Sequence, residues 1–253
     1  MELTALSLEV SLFLFTIAVA AGLIDTLAGG GGLIALPALI VSGIPPLFAL
    51  GTNKLQGSMG TATATFMMLK KRRVSWQEVK PLMLAAFIGS TLGTIAVQFI
   101  DTRLLSFVIP AVLFVIAVYF LLMPQPRTGK SKPKISQSKF KKLVVPLIGW
   151  YDGMFGPGTG SFFALAGVSL QGHGLIYSTA VAKTLNFSTN IASLAVFLAA
   201  GKVIWAAGIL MMAGQMLGAW AGSHFLYKIN PKYLRFLVVA MCSGMLIKYF
   251  LST

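Results

Sequence analysis

Two glycine-rich clusters are the parts of this sequence best suited to bind a ligand. They span residues 29–32 (GGGG) and 156–160 (GPGTG), and each interrupts an apolar run. A helix that restarts after such a break presents unpaired N–H groups and the positive end of its dipole. Glycine also lets an anion approach the backbone closely. The clusters therefore predict anion-binding helix breaks, with close helix crossing as the alternative. The candidate contacts are Gly29, Gly30, Gly31, Gly32, Gly156, Gly158, Thr159 and Gly160.

Two lysines lie inside otherwise apolar segments. A charge at the bilayer centre costs roughly 3 kcal/mol, so Lys54 and Lys183 are expected to face a cavity or a charged partner. Two roles stay open and are compatible. The lysines could attract an anion, or they could neutralise acids within their own halves, Lys54 with Asp25 and Lys183 with Asp152. The two aspartates could instead carry a proton for coupling. Nearby polar candidates for binding are Thr52, Asn53, Gln56, Asn186 and Asn190.

The composition places these residues in a membrane protein. The 253 residues are 57% hydrophobic and 10% charged, with a mean hydropathy of +0.84, whereas soluble domains carry about 25% charged residues. The net charge of +14 is concentrated between apolar runs, which argues against a nucleic-acid surface. One cysteine and two histidines exclude a disulfide framework and predict neither a metal site nor a cofactor. The apolar run 10–24 lacks a basic leader, so we expect a retained membrane segment.

The sequence repeats itself weakly at a spacing of 129 residues. Lys54 corresponds to Lys183 and Trp76 to Trp205, and several glycines follow in the same order. Such internal repeats are common in transporters. Between the copies lies a segment with seven Lys/Arg, three prolines and no acid, which predicts a flexible basic linker. We therefore divide the chain into a first repeat (1–123), a linker (124–142) and a second repeat (143–253).

Equivalent loops of the two repeats have opposite charge bias. The loop at 70–73 is strongly basic, but its counterpart at 201–202 is not; conversely, 101–103 is neutral and its counterpart at 228–235 is basic. Because basic loops face the cytoplasm, the repeats are predicted to have inverted topology. This places 70–73, the linker and 228–235 inside, and 101–103, 201–202 and both termini outside.

Four stretches form a specific set of paired motifs. They are AGLIDTLAGGGGLIALP at 21–37, ALGTNK at 49–54, GWYDGMFGPGTG at 149–160 and KTLNFSTN at 183–190. Together they resemble the sulfite exporter TauE/SafE family, also called the toluene-sulfonate uptake permease family. The sequence departs from the pattern at 181–182, where Val-Ala stands in place of the Gly-Thr found at 51–52. The resemblance implies a secondary transporter of sulfite, sulfonates or related small organic anions.

The sequence therefore predicts an all-α polytopic membrane protein in the cell inner membrane or plasma membrane. Its two inverted-topology repeats would contain broken or re-entrant helices at the glycine motifs and would move an anion by alternating access. An anion channel and a membrane-embedded enzyme are the alternatives. We do not expect an enzyme, because no nucleophile–base pair or metal cluster is evident. The expected partners are a small anionic substrate and the lipid bilayer, without nucleic acid; proton coupling and a homodimer stay open.

Overall fold

The protein is all-helical throughout the part of the chain that the structure describes. The structure is a computed structural model that describes residues 7–28, 30–122, 131–225 and 243, and these contain helices and no strands. The all-α prediction is confirmed. The helices are α1 (Leu8–Ala28), α2 (Gly32–Val41), α3 (Pro46–Lys70), α4 (Trp76–Gln98), α5 (Thr102–Leu122), α6 (Gln137–Lys139), α7 (Val145–Met154), α8 (Thr159–Gln171), α9 (Leu175–Ala199) and α10 (Trp205–Phe225), with a π-helical turn at Phe140–Val144 between α6 and α7.

Among the described residues, two helical segments have the length and apolarity of a membrane span. They are Leu8–Thr26 in α1 and Trp76–Gln98 in α4. On α4 the large apolar side chains of Leu84, Ile88 and Leu92 are exposed at intervals of four residues. This spacing forms one stripe along the helix. A stripe of exposed leucine and isoleucine suits contact with lipid.

Both glycine clusters break the helical path, as predicted. The first break separates α1 from α2, and the second separates α7 from α8. Gly156 and Gly158 have φ values of +92° and +81°. Side chains disfavour this left-handed region, so glycine is needed at both positions to turn the chain between α7 and α8.

Small residues allow two pairs of helices to pack closely. Gly89 of α4 lies against the backbone of Pro146 just inside α7, and Gly218 of α10 lies against the backbone of Val19 in α1. A side chain at either glycine would overlap the facing backbone, so glycine permits the crossing. Each pair joins a helix of the first predicted repeat to one of the second.

The buried apolar residues of the described part form two main clusters. The larger cluster includes Leu36 of α2, Ile109 of α5 and Met211 of α10. The other draws on α4, α7, α8 and α9 and includes Phe163 and Leu185. Several polar side chains of α3 and α9 are buried as well. Since both clusters draw residues from both halves, the two predicted repeats share their cores.

The described end of the linker is more ordered than a flexible linker would be. The Lys134 N–H donates to the Leu170 carbonyl at 2.8 Å, and the Ser131 N–H donates to the Gly172 carbonyl at 2.9 Å. The last carbonyls of a helix lack partners within the helix, so the linker satisfies the end of α8. From Gln137 the chain is helical, and the Ser136 hydroxyl caps this helix by accepting from the Lys139 N–H.

Candidate functional site

A small polar cavity lies where the two helix breaks meet α3 and α9. Its volume is about 30 Å³, which has room for a small number of water molecules. The Lys54 and Asp152 side chains on its wall are each 1% exposed. The lining residues are Asp25, Gly32, Asn53, Lys54, Gln56, Gly57, Thr61, Asp152, Gly156, Gly158, Thr159, Asn186, Asn190 and Gln215.

The two breaks lie next to each other, although they come from different halves. A β-carbon added to Gly32, the first residue of α2, would lie 3.5 Å from the Cα of Pro157 in the second break. It would also lie 3.5 Å from Nδ2 of Asn53. Because Gly32 has no side chain, the backbone of the first break lies directly beside the Asn53 amide of α3.

Lys54 and Asp152 form a buried ion pair on the cavity wall. The Lys54 Nζ is 2.7 Å from Asp152 Oδ2, and each side chain is 1% exposed. Asp152 is in the last turn of α7, where the helix dipole disfavours a negative charge, so a cation stabilises it there. Beyond this contact, neither atom has a further hydrogen-bond partner among the described residues.

Lys183 and Asp25 form the second ion pair, and this one is hydrogen-bonded. The Lys183 Nζ lies 3.2 Å from Asp25 Oδ2 and also donates to the Asp25 backbone carbonyl. The other carboxylate oxygen of Asp25 accepts from the Gly31 N–H at 3.4 Å. Lys183 thus ties α9 to the end of α1 and to the first break. It does not line the cavity.

The predicted pairing of each lysine with the acid of its own half is wrong. The structure pairs Lys54 with Asp152 and Lys183 with Asp25, so both ion pairs join the two halves. The physical reason is the packing of the breaks around α3 and α9. This packing brings each carboxylate within reach of the lysine from the other half.

Amide side chains supply most of the remaining polar lining. The Gln56 Nε2 donates to Asn53 Oδ1 at 2.9 Å, which fixes both amides on α3. The Oε1 atoms of Gln56 and Gln215 are buried without a hydrogen-bond partner among the described residues. Leaving a buried polar group unsatisfied costs about 1–3 kcal/mol. A bound polar molecule would recover part of that cost.

At the second break, hydrogen bonds hold the chain between α7 and α8 in place. Thr159 directs both its hydroxyl, at 2.6 Å, and its N–H, at 3.3 Å, to the Gly156 carbonyl. The Tyr151 hydroxyl donates to the Pro157 carbonyl at 2.6 Å. In this conformation the Thr159 groups proposed to contact an anion are therefore engaged within the break.

The structure brings many of the predicted site residues together, but not all of them. Gly32, Asn53, Lys54, Gln56, Gly156, Gly158, Thr159, Asn186 and Asn190 line the cavity, together with Asp25 and Asp152. Gly30, Gly31, Thr52, Gly160 and Lys183 do not line it, and Gly29 is outside the described residues. The Thr52 hydroxyl instead accepts from the Ile204 N–H at 3.0 Å, which anchors the loop before α10. The assignment of these residues as substrate contacts stays a prediction.

The sequence analysis missed three lining residues, Gly57, Thr61 and Gln215. Gly57 and Thr61 follow Asn53 at intervals of four residues, so the helical period could have placed them on its face of α3. Gln215 is a polar residue buried in the apolar helix α10. A polar residue inside a membrane segment is itself a signal of a functional position.

Comparison with known proteins gives one family and several related chains. The family model described as "Sulfite exporter TauE/SafE" matches residues 14–249. A protein of Haemophilus influenzae named "Probable membrane transporter protein" is 41% identical over 236 residues, which cover 93% of this chain and 92% of that protein. No solved structure matches the chain.

Two further relatives carry similar names. "Probable membrane transporter protein ORF9" of a Sinorhizobium species is 42% identical over 93% of this chain and 90% of its own length. "Probable membrane transporter protein YfcA" of Escherichia coli is 40% identical over 92% of this chain and 86% of its own length. The relatives are thus named as membrane transporters and not as enzymes.

Proposed function

Because the chain belongs to the sulfite exporter TauE/SafE family and is therefore a membrane transporter, we propose that it carries small anions by alternating access. The substrates that we propose are sulfite, sulfonates or related sulfur-containing organic anions. The carrier would hold the anion in the polar cavity between the two helix breaks. The predicted alternative of a membrane-embedded enzyme is wrong, because the family and the relatives are named as transporters.

The ammonium group of Lys54 is the single observation that carries this proposal. It is buried in the cavity wall, and beyond its contact with Asp152 it has no polar partner among the described residues, so N–H donors of the ammonium remain unused. A positive charge with unused N–H donors attracts an anion most strongly where water is excluded. The amides of Asn53 and Asn186 line the same cavity, and they supply neutral donors to the same anion.

The burial of the site supports movement between two states. The Lys54 and Asp152 side chains are each 1% exposed, so an anion reaches Lys54 only after the surrounding helices separate. A carrier needs a site that opens and closes in this way, whereas a channel needs a continuous polar path.

The proposed setting is the cell inner membrane or plasma membrane, crossed several times. The relatives named above are bacterial, which supports an inner membrane. The linker would be cytoplasmic and both termini outside. Proton coupling would supply the driving force for accumulation, and a homodimer is compatible with the site, because the cavity is formed within one chain.

Counterflow in liposomes tests the proposal. Purified protein is reconstituted in vesicles preloaded with unlabelled sulfite, and the uptake of labelled sulfite is followed against a panel of thiosulfate, sulfonates and carboxylates. A carrier gives a saturable, transient overshoot with at least one of these anions. A linear flux without overshoot would indicate a channel, and no flux with any anion would contradict the proposal.

A further inference from the structure

We infer that the two ion pairs have different roles: Lys54 is the lysine that binds the anion, which displaces Asp152, whereas Lys183 positions α1 and contacts no substrate. This inference rests on the proposed function, since it concerns the same cavity. It assigns unequal roles to two lysines that occupy equivalent positions in the sequence. The sequence repeat alone would predict equal roles.

Lys54 has one polar partner. Its Nζ contacts Asp152 at 2.7 Å and has no other polar partner among the described residues, and both side chains line the cavity. An ammonium group has three N–H donors, and a buried ion pair with few additional hydrogen bonds recovers little of the cost of burying two charges. An oxyanion that accepts N–H donors from Lys54 would bind it better than Asp152 does.

The room around Lys54 supports the exchange. Gly156 faces the amine, and a β-carbon there would lie 3.2 Å from Nζ. Because Gly156, with φ +92°, has no side chain, this residue leaves its side of the amine unobstructed. Gln56 and Asn53 approach the cavity from α3, so an anion at Lys54 finds neutral polar groups beside it.

Lys183 differs in each of these respects. Its Nζ bonds to both the carboxylate and the backbone carbonyl of Asp25, whose second oxygen accepts from Gly31. Two charge-assisted bonds and a backbone amide hold this group on the end of α1. The lysine lies outside the cavity lining. An anion would have to break three contacts to reach it.

Removing the charges of the Lys54–Asp152 pair distinguishes this assignment from a purely structural one. If the carboxylate and the substrate compete for one ammonium group, removing the charge of Asp152 strengthens anion binding. An unpaired lysine charge attracts an anion even without direct contact, so the decisive comparison is the neutral double variant of the pair, which loses sulfite binding only if Lys54 itself contacts the anion.

The experiment compares matched substitutions at the two pairs. Sulfite binding to the purified full-length protein is measured by calorimetry for Lys54→Gln, Asp152→Asn, Lys183→Gln and Asp25→Asn, with thermal unfolding recorded without ligand. We expect Asp152→Asn to bind sulfite at least about fivefold more tightly, and Lys54→Gln to bind it at least about tenfold more weakly. Lys183→Gln and Asp25→Asn should lower the Tm, and Lys183→Gln should keep the affinity within about twofold of the wild type, because Lys183 does not line the cavity.

Double variants keep the test decisive where a single variant does not fold. Lys54→Gln/Asp152→Asn and Lys183→Gln/Asp25→Asn each remove a whole pair and leave no buried charge. We expect both to fold and only the second to bind sulfite. Equal binding losses in the two doubles, or unchanged or weaker binding in Asp152→Asn, would overturn the inference. If the wild type binds no anion of the panel, the proposed function fails as well, and the inference with it.

Discussion

Asn190 donates from Nδ2 to the Thr61 hydroxyl at 3.4 Å, and these two residues are themselves 129 positions apart. They occupy equivalent positions in the predicted repeats. A residue contacts its own counterpart only near the axis that relates the two copies. This contact therefore predicts a pseudo-two-fold axis between α3 and α9, beside the cavity. A site on such an axis is typical of carriers built from inverted repeats.

Inverted topology is open to a direct test by cysteine labelling. In a Cys242→Ala background, single cysteines at 70–73 and in the linker should react only with reagents that reach the cytoplasm, because basic loops are retained inside. Cysteines at 101–103 should react from the outside. Labelling of the linker by an impermeant external reagent would contradict the inverted arrangement.

The Lys183–Asp25 pair should contribute to stability through the two halves that it joins. Lys183→Gln or Asp25→Asn leaves one buried charge alone and should cost about 3–5 kcal/mol of unfolding free energy. The double variant should recover most of that loss. Unfolding in denaturant measures the effect, with Lys71→Gln, an exposed lysine at the end of α3, as the control that changes little. A double variant as unstable as the single ones would exclude the pairing.

Asn53 and Asn186 should each contribute to substrate affinity from opposite halves. Asn53→Ala and Asn186→Ala should each weaken anion binding by about 1 kcal/mol, or 1.5–3 kcal/mol where the amide contacts the charge directly. Transport kinetics with sulfite provide the measurement. Thr63→Ala is the matched control on α3, because that hydroxyl only bonds to the Met59 carbonyl of its own helix. Normal affinity in both asparagine variants would place the site elsewhere.

Gly156 should affect anion binding through its position beside the Lys54 amine, in addition to the effect of its backbone conformation on stability. Gly156→Ala introduces strain of about 1–2 kcal/mol at φ +92° and places a β-carbon 3.2 Å from the Lys54 amine. Gly43→Ala introduces similar strain at φ +84° but meets no atom within 4 Å. Both variants should lose similar stability in thermal unfolding, and only Gly156→Ala should weaken sulfite transport. Equal transport in the two variants would remove Gly156 from the site.

Asp152 is also the carboxylate on which proton coupling should depend. Once an anion takes Lys54, Asp152 has no cation beside it, and this makes it the carboxylate that we expect to exchange a proton during transport. Asp152→Asn should therefore abolish accumulation driven by a pH gradient and preserve sulfite exchange at equal pH. Flux assays in liposomes separate the two activities. Gradient-driven accumulation that survives this change would rule out Asp152 as the proton carrier.

The sequence by itself determined the class of the protein, its family and the position of its breaks. Low charge and long apolar runs require a membrane helix, and these are properties of composition. The breaks at 29–32 and 156–160 depend on glycine, whose conformational freedom is local to the residue. The motifs around Asp25 and Asp152 identified the family because they are continuous stretches of sequence.

Only the tertiary structure decided which groups meet. Lys183 bonds to Asp25 across 158 positions, and nothing in either local sequence favours that acid over Asp152. The same holds for Gln215, which the packing of α10 brings to the cavity wall. Its amide oxygen has no hydrogen-bond partner among the described residues. Ion pairs and hydrogen bonds depend on separations of a few ångströms, and helix packing sets those separations. Two lysines at equivalent sequence positions therefore each pair with the acid of the other half, but only Lys54 lines the cavity.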